Sequence, residues 1–168
     1  METALLIVID DAEPFDEVRR DFAVETFALG IPFHVTLLYP FAPLLTDGLE
    51  AEARAFFAER PTFEFELTRI AVWPRVVYLV PEPDDALREC MAALFTRFPD
   101  WPPYGGIHEE VIPHATLGEE IDGPAMRNEI ERRVGPHLPR RCQVRDVALW
   151  EEVTPDRWRE RGRFPLAA

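Results

Sequence analysis

The chain has no lysine: all eighteen basic residues among its 168 are arginine. An enzyme that forms a lysyl-nucleotide intermediate needs that amine, and so does a Walker A loop, so both chemistries are excluded. Cysteine is nearly absent too. Cys90 falls on a predicted helix and Cys142 at the start of a predicted strand, with no CxxC or Cys/His metal spacing. Two reduced, mostly buried thiols are expected, and no metal site or cofactor. No apolar run approaches the roughly 20 residues of a membrane span. Met1-Glu2-Thr3 lacks the basic start and small-residue cleavage site of a secretion signal, so a cytoplasmic protein that engages no membrane is expected.

Positive charge is scarce as well, with a net charge of −13. Residues 1–122 carry 8 Arg against 24 acidic groups (−16), and residues 123–168 carry 10 Arg against 7 (+3). Coating of long nucleic acid, which rests on neutralising many phosphates, is therefore not expected. Any polyanion should approach the C-terminal third.

What is present is apolar material for a core, 47% hydrophobic and 11% aromatic residues, in a chain long enough for one domain. Leu5 to Ile9 is a continuous apolar run, expected to be a buried strand. Phe15, Val18 and Phe22 recur at helical spacing towards Ala28, and Gly30 should close that helix. Asp47 with Glu50 has capping-box spacing before a helix carrying Leu49, Ala53, Phe56 and Phe57. Phe63 to Trp73 and Val76 to Val80 read as an antiparallel pair, and Leu87, Met91, Leu94 and Phe98 as a third helical stripe behind Asp84 or Asp85. Residues 99–106, rich in Pro and Gly, read as a loop. Pro124 opens a helix with Met126, Ile130 and Val134; Val144–Trp150 and Arg157–Phe164 read as the last two strands.

Within this frame one pattern occurs twice. Phe33-His34-Val35-Thr36-Leu37 is answered eighty residues later by Pro113-His114-Ala115-Thr116-Leu117. In a strand, residues two apart share a face, so each copy presents an imidazole and a hydroxyl on one side and apolar groups on the other. Each copy is followed by helix, strand, strand, and Ile70-Ala71-Val72-Trp73 is echoed by Val147-Ala148-Leu149-Trp150. Two similar halves packed about a pseudo-twofold axis would bring the two motifs face to face. If both pairs made only structural hydrogen bonds, a buried sheet face would have no need of the same polar pair twice.

Two imidazoles facing one cleft suit a reaction in which one oxygen loses a proton as another gains one. In-line displacement at phosphorus is such a reaction, with base and acid flanking the phosphorus and two Thr hydroxyls donating to its non-bridging oxygens. No metal is required.

His34-Val35-Thr36-Leu37 and His114-Ala115-Thr116-Leu117, with their spacing and strand order, resemble the two-histidine (2H) phosphoesterase superfamily, specifically its 2′-5′ RNA ligase-like members. The resemblance implies an α+β, bilobal, duplicated fold over residues 1–168, two antiparallel sheets forming a central cleft with helices outside. It implies metal-independent opening of 2′,3′-cyclic phosphates to 2′-phosphates, and in some members ATP-independent 2′-5′ joining of RNA ends. It makes His34, Thr36, His114 and Thr116 the catalytic tetrad, with His114 as base and His34 as acid. The chain departs from many RNA-handling relatives, which have a basic residue shortly after the second motif; here Glu119 and Glu120 follow Gly118. A small cyclic nucleotide or an RNA terminus is therefore the expected substrate, handled by a monomer. A non-catalytic module binding nucleotides or RNA ends is the alternative from another class.

Tyr104, beside two glycines, is a candidate for stacking on a base or for anchoring its own loop. Arg157, Arg159, Arg161 and Arg163 read as a solvated edge-strand face rather than a phosphate-facing rim, with Trp158 and Phe164 on the other side. Tyr39, Trp73 and Trp150 read as core; His108 and His137, without repeat partners, as surface.

Overall fold

Eight strands sort into two antiparallel sheets of four in the computed structural model, which describes all 168 residues. In chain order the elements are β1 (Thr3–Val8), α1 (Glu13–Phe22), α2 (Val24–Ala28), β2 (His34–Leu38), α3 (Asp47–Ala58), β3 (Phe63–Trp73), β4 (Val76–Glu82), α4 (Asp85–Arg97), β5 (Ala115–Gly118), α5 (Pro124–Val134), β6 (Arg140–Val144), β7 (Asp146–Thr154) and β8 (Arg157–Pro165). One sheet runs β2-β1-β7-β8 and the other β5-β4-β3-β6. The expected α+β fold with two antiparallel sheets is the observed one.

The duplication can be read residue by residue from the strand register. Leu6 on β1 lies between Thr36 on β2 and Ala148 on β7. Tyr78 on β4 lies between Thr116 on β5 and Ala71 on β3. Strands β1, β2 and β7 therefore correspond to β4, β5 and β3, and each sheet takes its third strand from the other half of the chain. A two-residue turn enforces this for β3: Trp73 pairs with Val76, and Arg75 at the second central position adopts φ 69°. So tight a connection commits β4 to lie beside β3. One buried apolar cluster runs through both sheets and their helices, including Leu5, Val35 and Leu149 from the first sheet and Leu67, Leu79 and Ala115 from the second.

Several elements differ from the sequence reading. The helix expected through Ala28 breaks at Ala23 (φ −129°, ψ 53°) into α1 and α2. Thr46, not Asp47, caps α3, its hydroxyl accepting the Leu49 N–H at 3.1 Å. Val144 to Trp150 is not one strand: β6 ends at Val144, β7 begins at Asp146, and they belong to different sheets. Only Arg145 and Asp146 separate the apolar positions on either side of that corner, too short a break to mark a change of sheet from sequence. Pro103–Gly106, within the expected loop, forms a short 3-10 turn.

In β8 a register shift between Leu149 and Trp150 inserts one extra residue, so Trp158 and Phe164 lie on opposite faces of the sheet instead of sharing one. The arginine row lies on the sheet edge. Arg159 and Arg161 both pair with Glu151, Arg161 also pairs with Glu50, and Arg163 pairs with Asp146 and Glu160. Arg159, Arg161 and Arg163 thus form a paired edge, while Arg157 has no carboxylate partner. Cys90 and Cys142 are free and buried, and burial pushes both thiols up to about 11. No helix is long and apolar enough to cross a membrane.

Candidate active site

The two motifs share a burial pattern position for position. His34, Thr36 and Tyr39 are half-buried and Val35, Leu37 and Leu38 buried; His114, Thr116 and Glu119 are half-buried and Ala115, Leu117 and Gly118 buried. Both strands also carry the same irregularity. On β2 the partners of Leu6 and Leu5 are Thr36 and Leu38, which leaves Leu37 as an extra residue. On β5 the partners of Tyr78 and Val77 are Thr116 and Gly118, leaving Leu117. A bulge after each Thr turns the next half-buried residue back towards the side that carries the histidine. Tyr39 and Glu119 thereby line the cleft, and the expectation that Tyr39 belongs to the core is corrected on this account.

Strands β2 and β5 approach one another across the pseudo-twofold axis. Between them lies a cleft of about 770 Å³ whose lining includes His34, Thr36, His114, Thr116 and Tyr104. The structure thus brings together all five residues singled out from the sequence. A side chamber of about 460 Å³ opens between Trp73, Tyr104 and His114, with exposed His108 at its edge. His137 lies elsewhere, exposed, edge-on to Phe15. No group of three or more His, Cys, Asp or Glu side chains is arranged to hold a metal ion.

Each histidine is fixed in the same way. His34 Nδ1 lies 2.6 Å from the Pro32 carbonyl oxygen, and His114 Nδ1 lies 2.7 Å from that of Ile112. A carbonyl can only accept, so both Nδ1 atoms carry the proton and donate it. Nε2 is then the atom free to take or give a proton in the cleft. The shared i−2 carbonyl is part of the repeated design.

The surroundings of the two rings differ. Trp73 packs edge-on against His114 at 4.7 Å between centroids, and Tyr78 does so at 5.6 Å. Beside His34 lies Arg19, buried on α1, which donates to Asp16 Oδ1 and to the Ile31 carbonyl, both at 2.7 Å. Burial pushes the His34 imidazole down to about 4; the Pro32 carbonyl opposes this, and the charges of Arg19 and His114 add to it. Burial also lowers His114, against the pull of the Ile112 carbonyl. Both rings are therefore neutral near pH 7, His34 the more firmly.

Tyr104 sits at φ 50°, an uncommon conformation for a side-chain-bearing residue, and its N–H donates to the Tyr39 carbonyl at 2.6 Å. Burial raises its phenol pKa, while a hydrogen bond with Thr36 opposes the rise. Its loop is thus tied to the first motif through both backbone and side chain. Trp73 and Trp150 are half-buried, not core residues; Trp73 lines the cleft.

Sequence reasoning missed Arg19, Trp73 and the cleft position of Glu119. For Arg19 a signal existed: positions 15, 18, 19 and 22 form one helical face, and a single charge on an apolar stripe asks for a buried partner. Trp73 needed the hairpin tip to be placed, and Glu119 needed the bulge.

The sequence pattern of the 2′-5′ RNA ligase superfamily matches residues 8–156. No curated protein sequence matches the chain significantly. Among solved structures, E. coli LigT complexed with NADP+ is similar with a TM-score of 0.63 at 18% identity, covering 99% of this chain and 98% of that one. LigT complexed with 3′-AMP gives a TM-score of 0.60 at the same identity and coverage. The TT0787 protein of Thermus thermophilus gives 0.59 at 16% identity, again over 99% and 98%. With the sequence pattern covering most of its length and this fold beneath it, the chain belongs to the 2′-5′ RNA ligase superfamily of 2H phosphoesterases.

Proposed function

We propose that the protein opens 2′,3′-cyclic phosphates of nucleotides or RNA ends to 2′-phosphates, with His34, Thr36, His114 and Thr116 as its catalytic groups. The observation that carries this reading is the pair of imidazoles with Nδ1 anchored on i−2 carbonyls and Nε2 free, lining one cleft with two Thr hydroxyls. One imidazole takes a proton from water as its oxygen attacks phosphorus. The bond from phosphorus to the ribose 3′ oxygen breaks, and the other imidazole protonates that oxygen. The Thr hydroxyls donate to the non-bridging oxygens, where charge builds up in the transition state.

The unequal surroundings favour His34 as base and His114 as acid, the reverse of the assignment that the family resemblance suggested. Burial, aided by the charge of Arg19, resists protonation of His34, so it stays available to accept. His114, the less depressed of the two, takes up the proton when an anionic phosphate arrives. Tyr104 lines both cleft and side chamber, and in this reading it flanks the base of the nucleotide.

The test is a panel of 2′,3′-cyclic nucleotides and short cyclic-phosphate RNAs in EDTA, with the product phosphate located by NMR. A 2′-phosphate is expected; no opening of any member, or opening only after metal is added, contradicts the proposal. LigT and the family name make 2′-5′ joining the neighbouring reading, in which a 5′-hydroxyl replaces water. Adding a 5′-hydroxyl RNA without ATP and finding a joined product in place of the 2′-phosphate would favour it.

A further inference from the structure

The charges lining the cleft are the wrong sign for a substrate rich in phosphate. Two guanidiniums line it, Arg19 and Arg75, against four carboxylates, Glu2, Glu119, Glu120 and Glu152. Both guanidiniums are already matched: Arg19 by Asp16 and the Ile31 carbonyl, and Arg75 by Glu120. The other three carboxylates have no cationic partner. Glu2 accepts from the Tyr39 hydroxyl at 2.6 Å, Glu152 from the Glu2 N–H at 3.1 Å, and Glu119 from the Thr26 hydroxyl at 2.8 and 3.0 Å. Glu2, before β1, and Glu152, on β7, sit side by side, and Glu119 follows β5. With both histidines neutral near pH 7, no unmatched cation remains.

We propose that this cleft admits one negative charge and turns away a second. Its substrate is then a nucleoside 2′,3′-cyclic phosphate with a free 5′-hydroxyl, and 5′-phosphorylated nucleotides and longer oligonucleotides are disfavoured by Glu2, Glu119 and Glu152. The inference rests on the cyclic-phosphate reading and deepens it. A cyclic diester carries a single charge, which the Thr36 and Thr116 hydroxyls and the proton that His114 takes up on its arrival can match. A further phosphate would lie in a cleft whose walls focus the field of three unmatched carboxylates. The same field acts on the product. Ring opening creates a monoester that ionises a second time with a pKa of about 6, so the product is repelled where the substrate is not.

The experiment compares kcat/KM for adenosine 2′,3′-cyclic phosphate, its 5′-phosphate, and its 5′-dimethyl phosphate ester, which is neutral but as bulky. Wild type, Glu119→Gln and Glu152→Gln are assayed at low and high salt. The expected result is that the 5′-phosphate is about tenfold or more worse than the free 5′-hydroxyl. The neutral ester should be close to the free hydroxyl, and the gap should narrow in each Gln variant and in high salt, where screening shortens to a few ångström. Equal use of the 5′-phosphate overturns the proposal, as does a gap that the neutral ester shares or that salt and the Gln variants leave intact. If none of the three is turned over, the cyclic-phosphate reading falls. Calorimetric binding of the same three compounds then decides the charge selectivity by itself, with the same order expected and equal affinities overturning it.

Discussion

At the scale of single residues, the two histidines differ from ordinary ones in a way that can be measured. His34 takes its proton near pH 4 when folded but near the usual value of about 6.5 when unfolded. Between those values the unfolded chain binds more protons, so stability is greatest above about 6.5 and falls as pH drops towards 4. Urea denaturation from pH 7 to 4 should show this fall, and His34→Gln should flatten part of it; an unchanged slope would contradict the burial argument. The same depression sets the rate profile. The free enzyme needs His34 neutral and His114 protonated, and both are shifted down, so kcat/KM should peak on the acid side of pH 6.5 and decline on either side. A maximum above pH 7.5 would contradict the assignment. Arg19→Gln, if its melting curve remains cooperative, should move the acid limb of that profile upwards. This last reading separates electrostatic action through His34 from a purely structural role.

At the scale of elements, the bulges after Thr36 and Thr116 are what turn a strand motif into a site. Strict alternation places the His and Thr of each copy correctly from sequence, because those residues lie before the bulge. It fails for Tyr39 and for the Trp158–Phe164 relation, because one inserted residue exchanges the two faces. The corner at Arg145 is hidden for a different reason: only Arg145 and Asp146 interrupt the apolar positions where the chain changes sheets. Where the first copy has buried Leu38, the second has Gly118, and the neighbours explain the difference. A Cβ at Gly118 would stand 2.8 Å from Ile121 Cδ1 and 3.1 Å from Ile130 Cδ1. Gly118→Ala should therefore destabilise the protein by about 1–3 kcal/mol through overpacking, seen as a lowered melting temperature. At the head of α3, Thr46→Ala should cost about 1 kcal/mol by removing the cap on Leu49. Asp47→Ala, at the position the capping-box spacing suggested, should cost less.

At the scale of the whole molecule, duplication was legible and strand exchange was not. The repeated His and Thr pairs and the Ile70–Trp73 echo placed two halves about an axis, and the register of Leu6 and Tyr78 bears this out. The exchange of β3 and β7 between sheets depends on a hairpin tip and a sheet corner, neither of which alters composition. Charge behaved similarly. The overall excess of acid was plain, and it pointed away from long nucleic acid. The sequence tally directed a polyanion to the arginines of the C-terminal third, yet three of the four on β8 pair with carboxylates at a sheet edge and the cleft itself is acidic. A site that faces inward across the axis takes its charge from whichever strands meet there, not from the sequence segment that carries the motif.

The proposed chemistry needs two imidazoles acting as one acid–base pair. Its most direct test is turnover of a 2′,3′-cyclic nucleotide in EDTA by wild type, His34→Ala, His114→Ala and the double variant, each checked for native melting. Each single variant should lose about 10²–10⁴-fold in kcat, and the double variant should lose little more than either, because the two residues act together. Turnover by the double variant at a rate near that of wild type would contradict the account.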